Sequence, residues 1–341
     1  MQINEKSTSK IHFDNTENSF VKKGLPCSIG QLLAIFIPLT LLGLFCAIFL
    51  PIYLTRDNHR NKLIIITENS TEPVDNSSIN INNTSIEEKE FDEFEEYVEN
   101  YTYAILTPKD GYDNILIFLV GISNVANQYF EFFKSNSTIV PKGTKIYFLA
   151  GKIRKMKFLE KYGITEPAPG WFNVDSIGTL ICDNCSDIFD EAKESLNLIL
   201  DEIDHISQNE NINYDKIYLA GFSQGAIMTN YVLLNSRHKL AGYMAFSGYI
   251  FDHNFPYNYV LYNLTEKQKE VLDSKKDYHI LATHSFNDDT VYYPNSIESY
   301  YVYFREYTDF KLYSFGALSH SFIDQPVLPI VRSWLKESMG K

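Results

Sequence analysis

From Tyr101 onward the chain alternates short apolar runs with longer amphipathic stretches. "TYAILTP" (102–108), "NILIFLVG" (114–121), "KIYFLA" (145–150), "KIYLAG" (216–221), "LAGYMAFSG" (240–248), "YHILATH" (278–284) and "FKLYSF" (310–315) read as strands. The unbroken runs "ILIFLV" and "KIYLA" suit strands covered on both faces. Helices are predicted over 124–135, 187–208, 223–236, 294–307 and 326–338. In the second of these, Ile188, Ala192, Leu196, Ile199 and Ile203 recur at three- and four-residue spacing and share one face. Strands and helices in this alternation predict one α/β domain over residues 101–341, doubly wound around a mostly parallel sheet.

The first hundred residues follow other patterns. "LLAIFIPLTLLGLFCAIFLPIYL" (32–54) is 23 residues without a charge, and only Thr40 is a polar side chain. That length spans about 30 Å of hydrocarbon as a helix. A cleaved signal peptide fits worse, because the run is long, starts some 30 residues in and lacks a small-x-small site after it. Residues 31–54 are therefore expected to be a single transmembrane signal anchor, preceded by a short cytoplasmic tail (1–30). Basic residues flank both sides (Lys22 and Lys23; Arg56, Arg60 and Lys62), so they do not set the orientation. The N-x-[ST] acceptor pattern does. It occurs at Asn69, Asn76, Asn82, Asn83, Asn100, Asn136, Asn184 and Asn263, all after the apolar run. A type II arrangement follows, with the folded domain luminal or extracellular. Residues 55–100, polar and aperiodic, are expected to be a disordered, acidic, sequon-rich stalk.

Composition narrows the function classes. A formal charge of −13 over 341 residues argues against nucleic acid, whose binding depends on neutralising phosphates. Much of that charge is local: "EEKEFDEFEEYVE" (87–99) carries eight acids against one lysine and reads as a solvated stretch. Four cysteines are too few for a disulfide framework. Cys182 and Cys185 form a lone C-x-x-C, which reads as a small disulfide in an extracytoplasmic domain or as free thiols. Zinc would need two further soft ligands nearby, and none is present, so no metal is expected.

The chemistry centres on "GFSQG" (221–225), between the apolar run 216–221 and the helix that follows. G-x-S-x-G at a strand-to-helix turn is a nucleophile elbow. The glycines let strand and helix approach closely, and the serine oxygen is held out above the strand ends. The backbone N–H of Gln224, at the helix start, points toward a developing oxyanion. A nucleophilic serine needs a base, and the base needs an orienting carboxylate, in the chain order Ser, Asp or Glu, His. His320, in "GALSHSF" after the final strand, is the histidine that follows a strand-end acid. The acid is Asp288, with Asp289 as the fallback, in "THSFNDDTV" after the strand over 278–284.

Together "GFSQGA", H-x-x-x-D-x-x-V (His284, Asp288, Val291) and the terminal "SHSF" resemble the acyl-protein thioesterase, lysophospholipase and carboxylesterase group of small α/β-hydrolases, over about residues 103–338. The resemblance implies catalytic roles for Ser223, Asp288 and His320, oxyanion donors at the N–H groups of Ile122 and Gln224, and hydrolysis through an acyl-serine without a cofactor. "PAPGWFNVD" (167–175) resembles the group's P-x-W-F-D segment beside the substrate site. It leaves two readings for Trp171 and Phe172: lining an acyl groove, or core aromatics under a loop. The group's L-H-G-L-G-D turn appears here as "LVGISN" (119–124), with Val120 for histidine and Ser123 and Asn124 for Gly-Asp.

The expectation is a membrane-anchored serine hydrolase acting on acyl esters, lysophospholipids or acyl thioesters. The rival is a catalytically inert α/β-hydrolase ectodomain used for binding or adhesion; loss of a triad residue would mark it, and none is lost.

Overall fold

The computed structural model describes residues 94–100, 102–160, 163–174, 185–251, 266–304, 309–316, 319–320 and 327–340. The apolar run 32–54 and Cys182 lie outside these residues, as do the sequons at Asn69, Asn76, Asn82, Asn83, Asn184 and Asn263. Among the described residues no helix is long and apolar enough to cross a membrane.

Eight strands form the main sheet: β1 (Phe94–Asn100), β2 (Tyr103–Pro108), β3 (Asn114–Leu119), β4 (Thr144–Leu149), β7 (Ile217–Phe222), β8 (Gly242–Phe246), β9 (Ile280–Ser285) and β10 (Phe310–Phe315), in the spatial order β1-β2-β4-β3-β7-β8-β9-β10. β1 and β2 pair antiparallel, as do β2 and β4. Every pairing from β4 to β10 is parallel. A short antiparallel ribbon, β5 (Lys152–Arg154) with β6 (Ala168–Gly170), stands apart from the sheet.

The period-two alternation of strand side chains assigns the two faces. Ile115, Ile117 and Leu119 of β3, with Ile217 and Leu219 of β7, point into one core. That core is covered by α3 (Cys185–Asn209), α4 (Gln224–Asn235) and α6 (Tyr293–Phe304). Leu116, Phe118 and Val120, with Tyr218, Ala220 and Phe222, point into the other, covered by α1 (Ala126–Ser135) and α7 (Val327–Met339). The stripe Ile188, Ala192, Leu196, Ile199 and Ile203 of α3 is buried along its length. The α/β-hydrolase architecture is therefore present, and all seven expected strands and five expected helices appear within a few residues of their expected bounds.

One expected boundary is corrected. Residues 94–100, assigned from sequence to the end of the stalk, form β1 and pair with β2 from Phe94↔Pro108 to Asn100↔Tyr103. Charged residues are common on edge strands, where they discourage further pairing, so local charge was a poor guide to disorder here. Asn100, the sequon residue in this strand, is its last member. Asn136, the other described sequon asparagine, follows α1, and its side-chain amide donates to Phe132 O at 2.9 Å. The ribbon, a single-turn helix α2 (Lys157–Glu160) and α5 (Glu266–Asp273) are also additions to the expected elements.

The order of the sheet decides where a site can form. Chain growth from β3 runs outward to β4, then returns to place β7 on the other side of β3. Crevices form beyond the carboxyl ends of the strands at such a reversal. Here those ends lead into "GISN" after β3 and "SQG" after β7.

Candidate active site

Ser223 separates β7 from α4 with φ 55° and ψ −120°, a backbone state that side chains rarely occupy. The turn is held by its neighbours: Ser223 N–H donates to Phe246 O of β8 at 2.9 Å, and Ile227 N–H donates to Ser223 O at 3.1 Å. The flanking glycines make the turn sterically possible. A Cβ on Gly221 would lie 2.3 Å from the carbonyl oxygen of Gly225, well inside van der Waals contact.

The three residues picked out by chain order meet at this turn. His320 Nδ1 lies 2.8 Å from Asp288 Oδ2, and His320 Nε2 lies 2.9 Å from Ser223 Oγ. A carboxylate can only accept, so Nδ1 carries the proton and Nε2 offers its lone pair to the serine hydroxyl. That is the arrangement a general base needs before a nucleophilic attack. The Phe222 ring packs against the imidazole, with centroids 4.9 Å apart. Ser223 is only 2% exposed, so the hydroxyl is largely shielded from competing water.

Adjacent carboxylates at 288 and 289 take different environments. Asp288 is buried, and its Oδ1 accepts the N–H groups of Thr290 at 3.0 Å and Val291 at 2.7 Å. Asp289 is exposed and accepts the Thr290 hydroxyl. Burial alone would push the Asp288 carboxyl up; His284, His320 and the Val291 N–H outweigh it and hold the group well below the usual carboxylate range. A depressed carboxyl contributes stability that is complete above the unfolded-state value, about 3.9, and is lost as pH falls through the folded-state value. The stability gap between the native chain and Asp288→Asn is thus expected to narrow below about pH 4. Urea denaturation across the acid range measures it, and a gap independent of pH would contradict the assignment.

The two backbone donors expected from the sequence follow adjacent strands. Leu119 and Gly221 are register partners on β3 and β7, and Ile122 and Gln224 each follow three residues later, beyond the ends of the two strands. Among the described residues neither N–H has a backbone acceptor. Ser123, where the resemblance leads one to expect glycine, takes φ 57° and donates its N–H to Pro169 O at 2.8 Å. The turn thus keeps a left-handed residue despite the substitution.

Trp171 and Phe172 are core residues, 4% and 0% exposed. Phe172 stacks on Phe251 with centroids 5.2 Å apart. Their backbone ties the site together, which sequence reasoning missed. Trp171 N–H donates to Gln224 Oε1 at 2.8 Å, and Gln224 Nε2 donates to Phe172 O at 2.6 Å. Trp171 Nε1 donates to Val120 O at 2.8 Å. The segment after β6 therefore bridges the β3 turn and the elbow, using the side chain of one of the two residues expected to act through its N–H. Replacing Gln224 with Met leaves two buried backbone groups unpaired. It is expected to cost about 2–4 kcal/mol in denaturant unfolding; a cost under about 0.5 kcal/mol, the range of neutral surface changes, would show the clamp to be idle.

Comparison with known proteins gives the family and the fold. The family model for phospholipases and carboxylesterases matches residues 100–338. No curated protein matches the chain significantly. Among solved structures, the chain is similar to acyl-protein thioesterase 2 of Zea mays, at 17% identity over 70% of this chain and 99% of that one, with a TM-score of 0.53. It is also similar to SOBER1 of Arabidopsis thaliana, at 16% identity over 66% and 99%, TM-score 0.52. Esterase PE8 is similar at 18% identity over 68% and 96%, TM-score 0.52. At such identities the structures speak for the fold, and the family model, which covers more than half of the chain, speaks for descent. With Ser223, His320 and Asp288 joined in series above the sheet, this chain belongs to the phospholipase/carboxylesterase family of α/β-hydrolases.

Proposed function

We propose that the protein is a serine hydrolase that cleaves carboxylic ester or thioester bonds through an acyl-serine. The observation that carries this reading is the unbroken hydrogen-bonded series from Ser223 Oγ through His320 to Asp288. Ser223 Oγ attacks the acyl carbon as its proton passes to His320 Nε2. The oxyanion that forms accepts hydrogen bonds from the N–H groups of Ile122 and Gln224. Collapse releases the alcohol or thiol, which takes the proton from His320 and leaves Ser223 acylated. Water then attacks the acyl carbon as its proton passes to the same nitrogen, and the second collapse expels Ser223 Oγ, which takes that proton back from His320 as the carboxylic acid leaves. Asp288 stays ionised throughout and stabilises the transient imidazolium.

The substrate reading is a lysophospholipid or small acyl ester. It is coupled to a second proposal: residues 32–54 anchor the chain in a membrane as a type II protein, with the hydrolase domain luminal or extracellular. That placement is supported by the 23-residue uncharged run and the sequons that all follow it. It puts cytosolic acylated proteins out of reach.

Hydrolysis of p-nitrophenyl esters and acyl thioesters of graded chain length tests the chemistry. Turnover with a defined chain-length optimum is expected; the absence of turnover on every member would favour the inert ectodomain. Treatment of the cell-expressed protein with a glycosidase tests the orientation. A downward mobility shift is expected, and an unshifted band would place the domain on the cytosolic side.

A further inference from the structure

We propose that His284 is a positioning residue for Asp288, setting the strength with which that carboxylate holds His320; the inference rests on the triad reading given above. His284 lies in β9, 1% exposed, and no step of the mechanism uses it. Its Nε2 is 2.8 Å from Val291 O and 3.3 Å from Asp288 Oδ2, the oxygen that also accepts from His320.

The ring's tautomer follows from its surroundings. Val291 O can only accept, so Nε2 carries a proton. Among the described residues Nδ1 is buried without a partner, and a proton there would go unpaired, which folded proteins avoid. The donor is thus held on the side where Asp288 sits. The rest of the loop is built to match. Asp288 Oδ1 takes the N–H groups of Thr290 and Val291, and Val291 returns its carbonyl to His284. One oxygen of Asp288 is consequently fixed by backbone, while the other lies between two imidazoles.

This sharing has a direction. A donor close to Oδ2 draws negative charge from it and weakens its pull on the His320 proton. Without His284 the carboxylate gives all of that oxygen to His320, whose imidazolium is then better stabilised. The loop also loses its brace at Val291 O. Few other groups confuse the effect. Among the described residues, His284 and His320 are the basic side chains within 4.0 Å of the Asp288 carboxylate. Asp289 is turned to Thr290, and the phenol facing the His284 ring, Tyr293 at 5.8 Å, bonds to Ser314.

Three variants separate positioning from packing. In His284→Gln the amide nitrogen stands as many bonds from Cβ as Nε2 does, so the donor is kept. In His284→Met it is lost at similar length, and in His284→Asn it falls one bond short. The acid limb of kcat/KM on a p-nitrophenyl ester is expected to move about half a pH unit upward in the Met and Asn variants, about threefold in proton affinity. Their kcat is expected to fall about tenfold, with KM within about twofold, because the loop that holds Asp288 in place loses its brace at Val291 O and the loss outweighs the stronger base. The Gln variant should stay within about 0.2 pH units of the native limb. A limb unmoved in the Met or the Asn variant, whichever folds, overturns the proposal, whatever happens to stability.

The NMR titration of the His320 ring, recorded on a Ser223→Ala background, needs no turnover. The same upward displacement is expected there for each donor-deficient variant. If the native protein hydrolyses nothing yet the displacement is seen, the esterase reading fails and the positioning role stands. If hydrolysis is present and neither measurement moves, the positioning role fails alone.

Discussion

Ser223→Ala is expected to abolish covalent labelling by a fluorophosphonate probe and to lower kcat by a factor of about 10⁴ to 10⁶. The size follows from how little else at the site can take over. His320 Nε2 has the serine hydroxyl as its partner at 2.9 Å, and removing the hydroxyl leaves a base with no nucleophile to activate. Substrate binding and the N–H groups of Ile122 and Gln224 would survive, which is the source of residual turnover in such variants. Stability should change by less than about 1 kcal/mol, because alanine inherits the same φ of 55° and loses only one oxygen. The comparison therefore isolates chemistry from folding. Labelling that persists in the variant would remove Ser223 from the mechanism.

The second large effect is one of folding. Gly225→Ala is expected to destabilise the domain by more than about 4 kcal/mol, or to prevent its accumulation as soluble protein. In an ordinary helix the same exchange would be favourable by up to about 1 kcal/mol. At this position a Cβ would lie 2.0 Å from Leu119 O, 2.6 Å from its carbonyl carbon and 2.8 Å from Val120 O. All three atoms are backbone of the neighbouring strand, so no side chain can swing aside. Relief would require α4 to lift from β3, separating the Ser223 turn from Ile122 and breaking the Gln224 clamp. Gly316→Ala is the matched control, since a Cβ there meets nothing within 4 Å; a change within about 0.5 kcal/mol is expected. Urea midpoints of the two variants decide the matter, and equal midpoints would mean that the close approach at Gly225 does not exist in solution.

Much of this site could be read from sequence, for identifiable reasons. Strands β3 and β7 are apolar on both faces and bounded by turn residues, so their positions depend on local pattern alone. The elbow declares itself because only glycine tolerates the contact at positions 221 and 225. The histidine followed from chain order. What could not be read depends on partners distant along the chain. β1 carries three glutamates in seven residues, and it pairs because β2 presents an edge to it. Nothing in "NDD" (287–289) distinguishes the two carboxylates; the backbone of Thr290 and Val291 and the ring of His284 do so. The Gln224 side chain, the Trp171 indole and the Phe222 ring act across 53, 51 and 98 residues of chain, and local periodicity carries no trace of such contacts.

β1 also determines at which pole the chain enters the sheet. It runs antiparallel to β2, which runs antiparallel to β4, so β1 points the same way as the parallel strands. Phe94 therefore enters at the amino ends of those strands, the pole opposite the one that bears Ser223. Chain entry and chemistry thus occupy opposite poles of a single sheet.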